Sequence, residues 1–192
     1  MARLMYVSLV VFSLSVLTGP RLGAQAVTPP EPRGTATYIT KADIDTVMNR
    51  TADKPASDQQ VRAVSIHNDE YHVGVGIVHR AKASAANAGG VEHSEITEVY
   101  QIISGTATLV TGGMIKDAAV LKGPTAAVGP TLQGGPITSG GVSQKVGPGD
   151  VIIIPPNTPH WFSDISSDQI VYLVVRMDPH KALRVMNALD KK

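Results

Sequence analysis

Val91-Glu92-His93-Ser94-Glu95-Ile96-Thr97-Glu98-Val99-Tyr100, and later Gly149-Asp150-Val151-Ile152-Ile153-Ile154-Pro155-Pro156-Asn157-Thr158-Pro159-His160-Trp161, are the stretches on which the reading of this chain turns. Each joins a β-branched run to histidine and carboxylate side chains. Similar short runs, rich in Val, Ile and Tyr, occur at His72 to His79, Thr106 to Val110 and Ile170 to Val175, separated by Gly, Pro and Ser. Strands this short and frequent predict an all-β fold, a small antiparallel sandwich or barrel.

Composition restricts the chemistry. Of 192 residues none is cysteine, which excludes disulfides, iron–sulfur clusters, thiolate zinc sites and a cysteine nucleophile. Any metal site must use histidine and carboxylate. Seventeen Lys and Arg against 16 Asp and Glu, with no basic run, give no footprint for nucleic acid. No G-x-S-x-G elbow, G-x-G-x-x-G turn or phosphate-binding loop is present, so serine-hydrolase and nucleotide-binding readings lack support.

Residues 1–26 read as a signal peptide: Arg3 supplies the positive end, Leu4 to Leu17 the apolar stretch, and Ala24-Gln25-Ala26 the cleavage signal. Export to the periplasm or medium with cleavage after Ala26 is expected. The apolar stretch is too short for a comfortable span and no lipid-accepting cysteine follows, so no stable membrane anchor is expected. Residues 27–60 read as a Pro-rich arm and a short helix, which Thr40 caps with Asp43 at N3. Residues 61–178 read as the barrel, with a Gly/Pro-rich insertion at 112–148 taken as a surface insertion with a hairpin or two in it, or a functional lid. Residues 179–192, opening on Asp178-Pro179, read as a C-terminal helix with Leu183, Met186 and Leu189 on one side.

The two opening stretches resemble the two motifs of the cupin superfamily. Four residues lie between His93 and Glu98 and six between Glu98 and Gly105, as in the first motif; Gly149, Pro155 and His160 are spaced as in the second. The pattern departs at four places. Val91 stands where the first metal-binding His falls, Ala85 for the leading Gly, Asn157 for Gly, and Asp164 for the final Asn. The resemblance covers roughly residues 70–177. It implies a small antiparallel jelly-roll barrel with a short N-terminal and a C-terminal helix. One divalent first-row metal (Mn, Fe, Zn, Ni or Cu) would be bound inside by His93, Glu98 and His160. It also implies a homodimer, as cupin barrels commonly pair through their sheets.

Side-chain alternation allows those three to meet only if the chain bends. His93 and Glu98 are five positions apart, so one straight strand would send them to opposite faces, and a bend or bulge between Ser94 and Thr97 is required. Glu95 shares parity with His93; it either replaces the ligand lost at Val91, acts in proton transfer, or faces solvent. Tyr100 shares the face of Glu98 and is a candidate catalytic acid or a core filler. Trp161 and Phe162 are candidates for the pocket wall. Arg176 either binds a substrate carboxylate or caps the sheet edge. His79, of the same parity as Val75 and Ile77, enters the barrel as a fourth ligand or support if those two face the core. The functional reading is a metal-dependent enzyme acting on a small oxygenated molecule, of oxygenase, isomerase or lyase type. The competing reading is a non-catalytic barrel that lost metal with the His at position 91 and binds an organic ligand.

Overall fold

The computed structural model describes residues 35–85, 89–122 and 128–190, and Tyr38–Lys192 cluster as one unit. The expected signal sequence and cleavage site and most of the Pro-rich arm lie outside the described residues.

Helix α1 (Lys41–Asn49) starts where Thr40 accepts the Asp43 backbone N–H and Asp43 accepts that of Thr40, a reciprocal capping box. Strands β1 (Ala56–Ile66) and β2 (Tyr71–Ala81) follow, then a single helical turn, α2 (Lys82–Ala85). The short β3 (Val91–His93) leads to β4 (Thr97–Ser104) and β5 (Ala107–Thr111). After these come β6 (Met114–Ile115), β7 (Ala119–Val120), β8 (Thr131–Gln133), β9 (Ile137–Ser139) and β10 (Val142–Val146). The chain closes with β11 (Val151–Ile154), β12 (His160–Ile165), β13 (Gln169–Asp178) and β14 (Met186–Asn187).

Two six-stranded antiparallel sheets result, ordered β11-β4-β13-β2-β1-β14 and β10-β5-β12-β3-β8-β7, with β6 and β9 as a separate two-stranded sheet. Their facing sides share one core. Val78, Tyr100, Ile102, Tyr172 and Val174 of the first sheet meet Leu109, Val146, Phe162 and Ile165 of the second. The fold is an antiparallel jelly-roll barrel. A second cluster lies on the other side of the first sheet, where Val47 of α1 and Ala188 cover Val61, Ile77 and Val171.

Alternation along β2 and β13 follows from these layers. Val78 lies in the inter-sheet core and Ile77 in the helix-covered cluster, so even-numbered residues of β2 point inward. Gly76 is in that inward row for a steric reason: a Cβ there would press on Val174 and on the Arg176 guanidinium, 3.0 and 3.2 Å away. Gly105 has φ +82° and abuts the Gln169 carbonyl, so its turn admits no side chain.

Three expectations change. No α-helix forms over residues 179–190. The Asp178 carboxylate, fully buried, accepts the backbone N–H groups of His180 and Leu183, which holds the chain in a loop with Lys181 at φ +59°. Met186 and Asn187 then pair with Ala63 and Arg62 of β1, followed by a 3-10 turn at Ala188–Asp190. Pairing along the sheet edge and burial of Leu183 outweigh the local helix signal. The barrel also begins earlier than residue 61, since β1 starts at Ala56. The 112–148 segment is no simple excursion: β7, β8 and β10 from within it are half of the second sheet.

Candidate metal centre

Strand β3 ends at His93 in the second sheet, the chain bends through Ser94 and Glu95, and β4 resumes at Thr97 in the first sheet. His93 and Glu98 therefore approach each other across the barrel rather than along one strand. His160 opens β12, next to β3, with Val91 as its register partner. The backbone N–H of Asn157 donates to the His93 carbonyl at 2.9 Å, tying the second motif's turn to the first motif's strand. Asn157 has φ +58°, so it adopts the left-handed conformation a glycine would take, one that Asn tolerates.

The nitrogens of His93 and His160 and a Glu98 oxygen lie within 4.8 Å of one another, making a group that could hold a metal ion. Hydrogen bonding fixes which atoms face each other. Thr131 donates its hydroxyl to the Gly129 carbonyl (3.1 Å), so its Oγ1 accepts from His93 Nδ1–H (2.9 Å). His160 Nδ1 lies 3.0 Å from the Thr158 carbonyl, which can only accept, so the proton is on Nδ1 there too. Both Nε2 atoms therefore present lone pairs, at 3.8 Å (His93) and 3.4 Å (His160) from Glu98 Oε2. His160 Nε2 is buried with no hydrogen-bond partner.

Protonation states agree with that arrangement. Burial lowers the His93 pKa from 6.5 to about 4 and lowers that of His160, so both rings are neutral at pH 7. For Glu98 burial pushes upward, but the Arg176 guanidinium and the neighbouring rings outweigh it and leave a pKa of about 2. The centre thus offers two imidazole lone pairs and one ionised carboxylate, the donor set of a facial triad with open positions for water or substrate.

Arg176 holds the other side of this carboxylate. Its Nε donates to Glu98 Oε1 at 2.9 Å, Nη1 donates to Gln60, and Nη2 pairs with Asp58. The guanidinium is committed to protein carboxylates, in place of the substrate carboxylate or sheet-edge cap expected of it. Tyr100 donates its hydroxyl to Glu98 Oε2 at 2.9 Å, and burial raises its pKa well above 10, so it stays protonated and orients the Glu98 carboxylate.

The other sequence candidates separate. Glu95 lies outside the donor group and lines neither of the two cavities described below. His79 has the outward parity: Ile77 packs under α1, and His79 Nε2 donates to the Lys54 carbonyl at 2.9 Å. The premise that Val75 and Ile77 face the barrel interior is reversed by the α1 layer. Trp161 and Phe162 line a cavity of about 350 Å³ together with Arg80, Tyr100 and His160. A larger one of about 870 Å³ is lined by His93, Glu98, Thr131 and Arg176, and again by Arg80, Tyr100 and His160. Arg80 and Thr131 were missed from the sequence. The inward parity of Val78 would have found Arg80, but Gly74 and Gly76 in the same row carry no hydrophobic signal.

A sequence model described as the AraC-like ligand binding domain matches residues 135–191. No curated protein matches the chain. Among solved structures it is similar to the EutQ protein of Clostridium difficile, at 12% identity and a TM-score of 0.37, over 65% of this chain and 69% of that one. It is similar to an oxalate oxidase, at 12% identity and TM-score 0.42, over 87% and 75%. It also resembles the DMSP lyase DddQ of Ruegeria pomeroyi, at 12% identity and TM-score 0.39, over 73% of this chain but only 55% of the lyase's length.

Proposed function

We propose that this chain is a cupin-type barrel that binds one divalent first-row metal through His93, Glu98 and His160 and acts as an exported enzyme on a small oxygenated molecule. The observation that carries the reading is the buried, partnerless Nε2 of His160, facing a carboxylate and a second imidazole lone pair with no proton between them. Three converging lone pairs repel unless a cation joins them. When bound, such an ion supplies Lewis acidity toward a substrate oxygen. The protein's part is geometric: Thr131 and the Thr158 carbonyl fix the two tautomers, and Arg176 and Tyr100 fix the carboxylate.

Protein purified from its native compartment should carry about one equivalent of metal, lost in a His93→Ala, His160→Ala double variant. Native protein that is metal-free and takes up none of Mn, Fe, Ni, Cu or Zn ends this reading. Metal retained by Glu98→Gln but lost in Glu95→Gln would reassign the carboxylate. N-terminal sequencing of the secreted protein should begin at Val27. An uncleaved N-terminus, or a mature protein confined to the cytoplasm, refutes export.

A second reading, a non-catalytic barrel that captures a small ligand, is favoured by Val91, an apolar side chain beside His160 where the superfamily pattern places a fourth ligand. Metal content separates the two.

A further inference from the structure

Arg80 lies in the inward row of β2, and its Nε donates to the Tyr172 hydroxyl at 3.3 Å. Its two terminal nitrogens make no hydrogen bond or ion pair among the described residues. Arg176, four residues further along β13 than Tyr172, has Glu98 and Asp58. Arg80 makes no hydrogen bond or ion pair to a carboxylate; Asp58 on the adjacent strand acts on it only through space. Asp58, the carboxylate that acts on Arg80 through space, is itself paired with Arg176, and the planar fork of the Arg80 guanidinium suits a further carboxylate. Arg80 borders a space of about 350 Å³, whose other walls include Ala83, Phe162 and Ile165. Trp161 is on the wall of the same cavity. That size and lining suit a small molecule with an apolar body.

Charge points the same way. Arg80, Arg176 and Arg184 line the larger cavity against Asp58 and Glu98, an excess of one positive charge with both histidines neutral. A divalent ion at the proposed centre raises that excess to three, so the space favours anions.

We propose that Arg80 binds the carboxylate of a small organic acid in this cavity, so that the far end of the molecule reaches His160 and Tyr100. Only that last placement rests on the proposed metal centre, since His160 and Tyr100 line both cavities. Apolar walls favour an organic acid over a fully hydrated inorganic anion. The functional consequence is a substrate class: carboxylic acids whose oxygenated end is presented to the centre.

Trp161 is the sole tryptophan of the chain, so its fluorescence reports the cavity directly. The full mature chain, once chelator-treated and once zinc-loaded, is titrated with benzoate, with its neutral isostere benzamide, and with inorganic phosphate. Saturable benzoate binding at least about tenfold tighter than benzamide is expected in both forms, because only the carboxylate completes the charge-assisted pair. Arg80→Gln should abolish the preference. Ala83→Glu, which adds a carboxylate to the cavity wall and leaves Arg80 in place, should compete with benzoate and weaken it. Equal binding of benzoate and benzamide, phosphate binding tighter than benzoate, or an unchanged preference in both variants would each overturn the proposal. Benzoate preference without zinc uptake keeps Arg80 and removes the metal centre; zinc uptake without benzoate preference does the reverse.

Discussion

Arg176 on β13 and Glu98 on β4 are direct register partners, and the guanidinium Nε donates to the carboxylate at 2.9 Å with both side chains almost wholly buried. Cross-strand pairs on one face bring side chains within reach, so the sheet itself positions this ion pair. Its consequence is directional: with Oε1 held by Arg176, Oε2 is the atom turned toward His93 and His160.

Replacing Arg176 by Met leaves a buried carboxylate without its counter-ion. We expect a loss of ~3–5 kcal/mol in urea unfolding of the metal-free protein. The Arg176→Met, Glu98→Gln double variant should recover part of it. A single variant as stable as the wild type would show that the pair contributes little.

Stability of the metal-free protein should peak near pH 6.5. Burial lowers His93 from 6.5 to about 4, so between those values the unfolded chain binds more protons; the stabilisation is complete above 6.5 and is lost as pH falls toward 4. His160 acts in the same direction. His72 acts oppositely: its hydrogen bond to Asp69 raises its pKa, so its contribution is complete below 6.5 and lost as pH rises through the raised value. Urea midpoints across pH should show both limbs. His93→Gln should flatten the acid limb and Asp69→Asn the alkaline one.

Thr131→Val removes the acceptor that fixes the His93 tautomer. Zinc affinity, measured by competition with a chromophoric chelator, should fall roughly 10–100-fold, and Thr131→Ser should restore it. Unchanged affinity in the valine variant would mean that packing alone orients the ring.

Asp178→Ala strips the backbone N–H groups of His180 and Leu183 of their acceptor. A cost of ~2 kcal/mol is expected, with faster amide exchange at Met186 and Asn187, whose pairing with β1 depends on that loop. Exchange confined to residues before Leu183 would show that β14 docks independently.

Much of the barrel was legible in local patterning, because β-branched runs between Gly and Pro are strong strand signals. The parity of His93 and Glu98 even demanded the bend that the chain makes at Ser94 and Glu95. Parity along β2 was not legible, because both rows carry apolar residues and the layer formed by α1 decides which faces the interior. That one ambiguity turned His79 inward on paper and hid Arg80.

By itself the sequence determined the alphabet of the site, nitrogen and oxygen donors in a cysteine-free chain, and the spacing of His93, Glu98 and His160. Tertiary structure decided which charges are already answered. Arg176 meets Asp58 and Glu98 because three strands of one sheet bring residues 58, 98 and 176 to the same inner face, whereas Arg80 makes no hydrogen bond or ion pair to a carboxylate there. The C-terminal segment carries helix signals in its order of residues, yet the buried carboxylate of Asp178 and the free edge of β1 make it a loop and a strand. Local periodicity specifies which conformations a segment favours; long-range pairing and burial, whose energies exceed propensity, select among them.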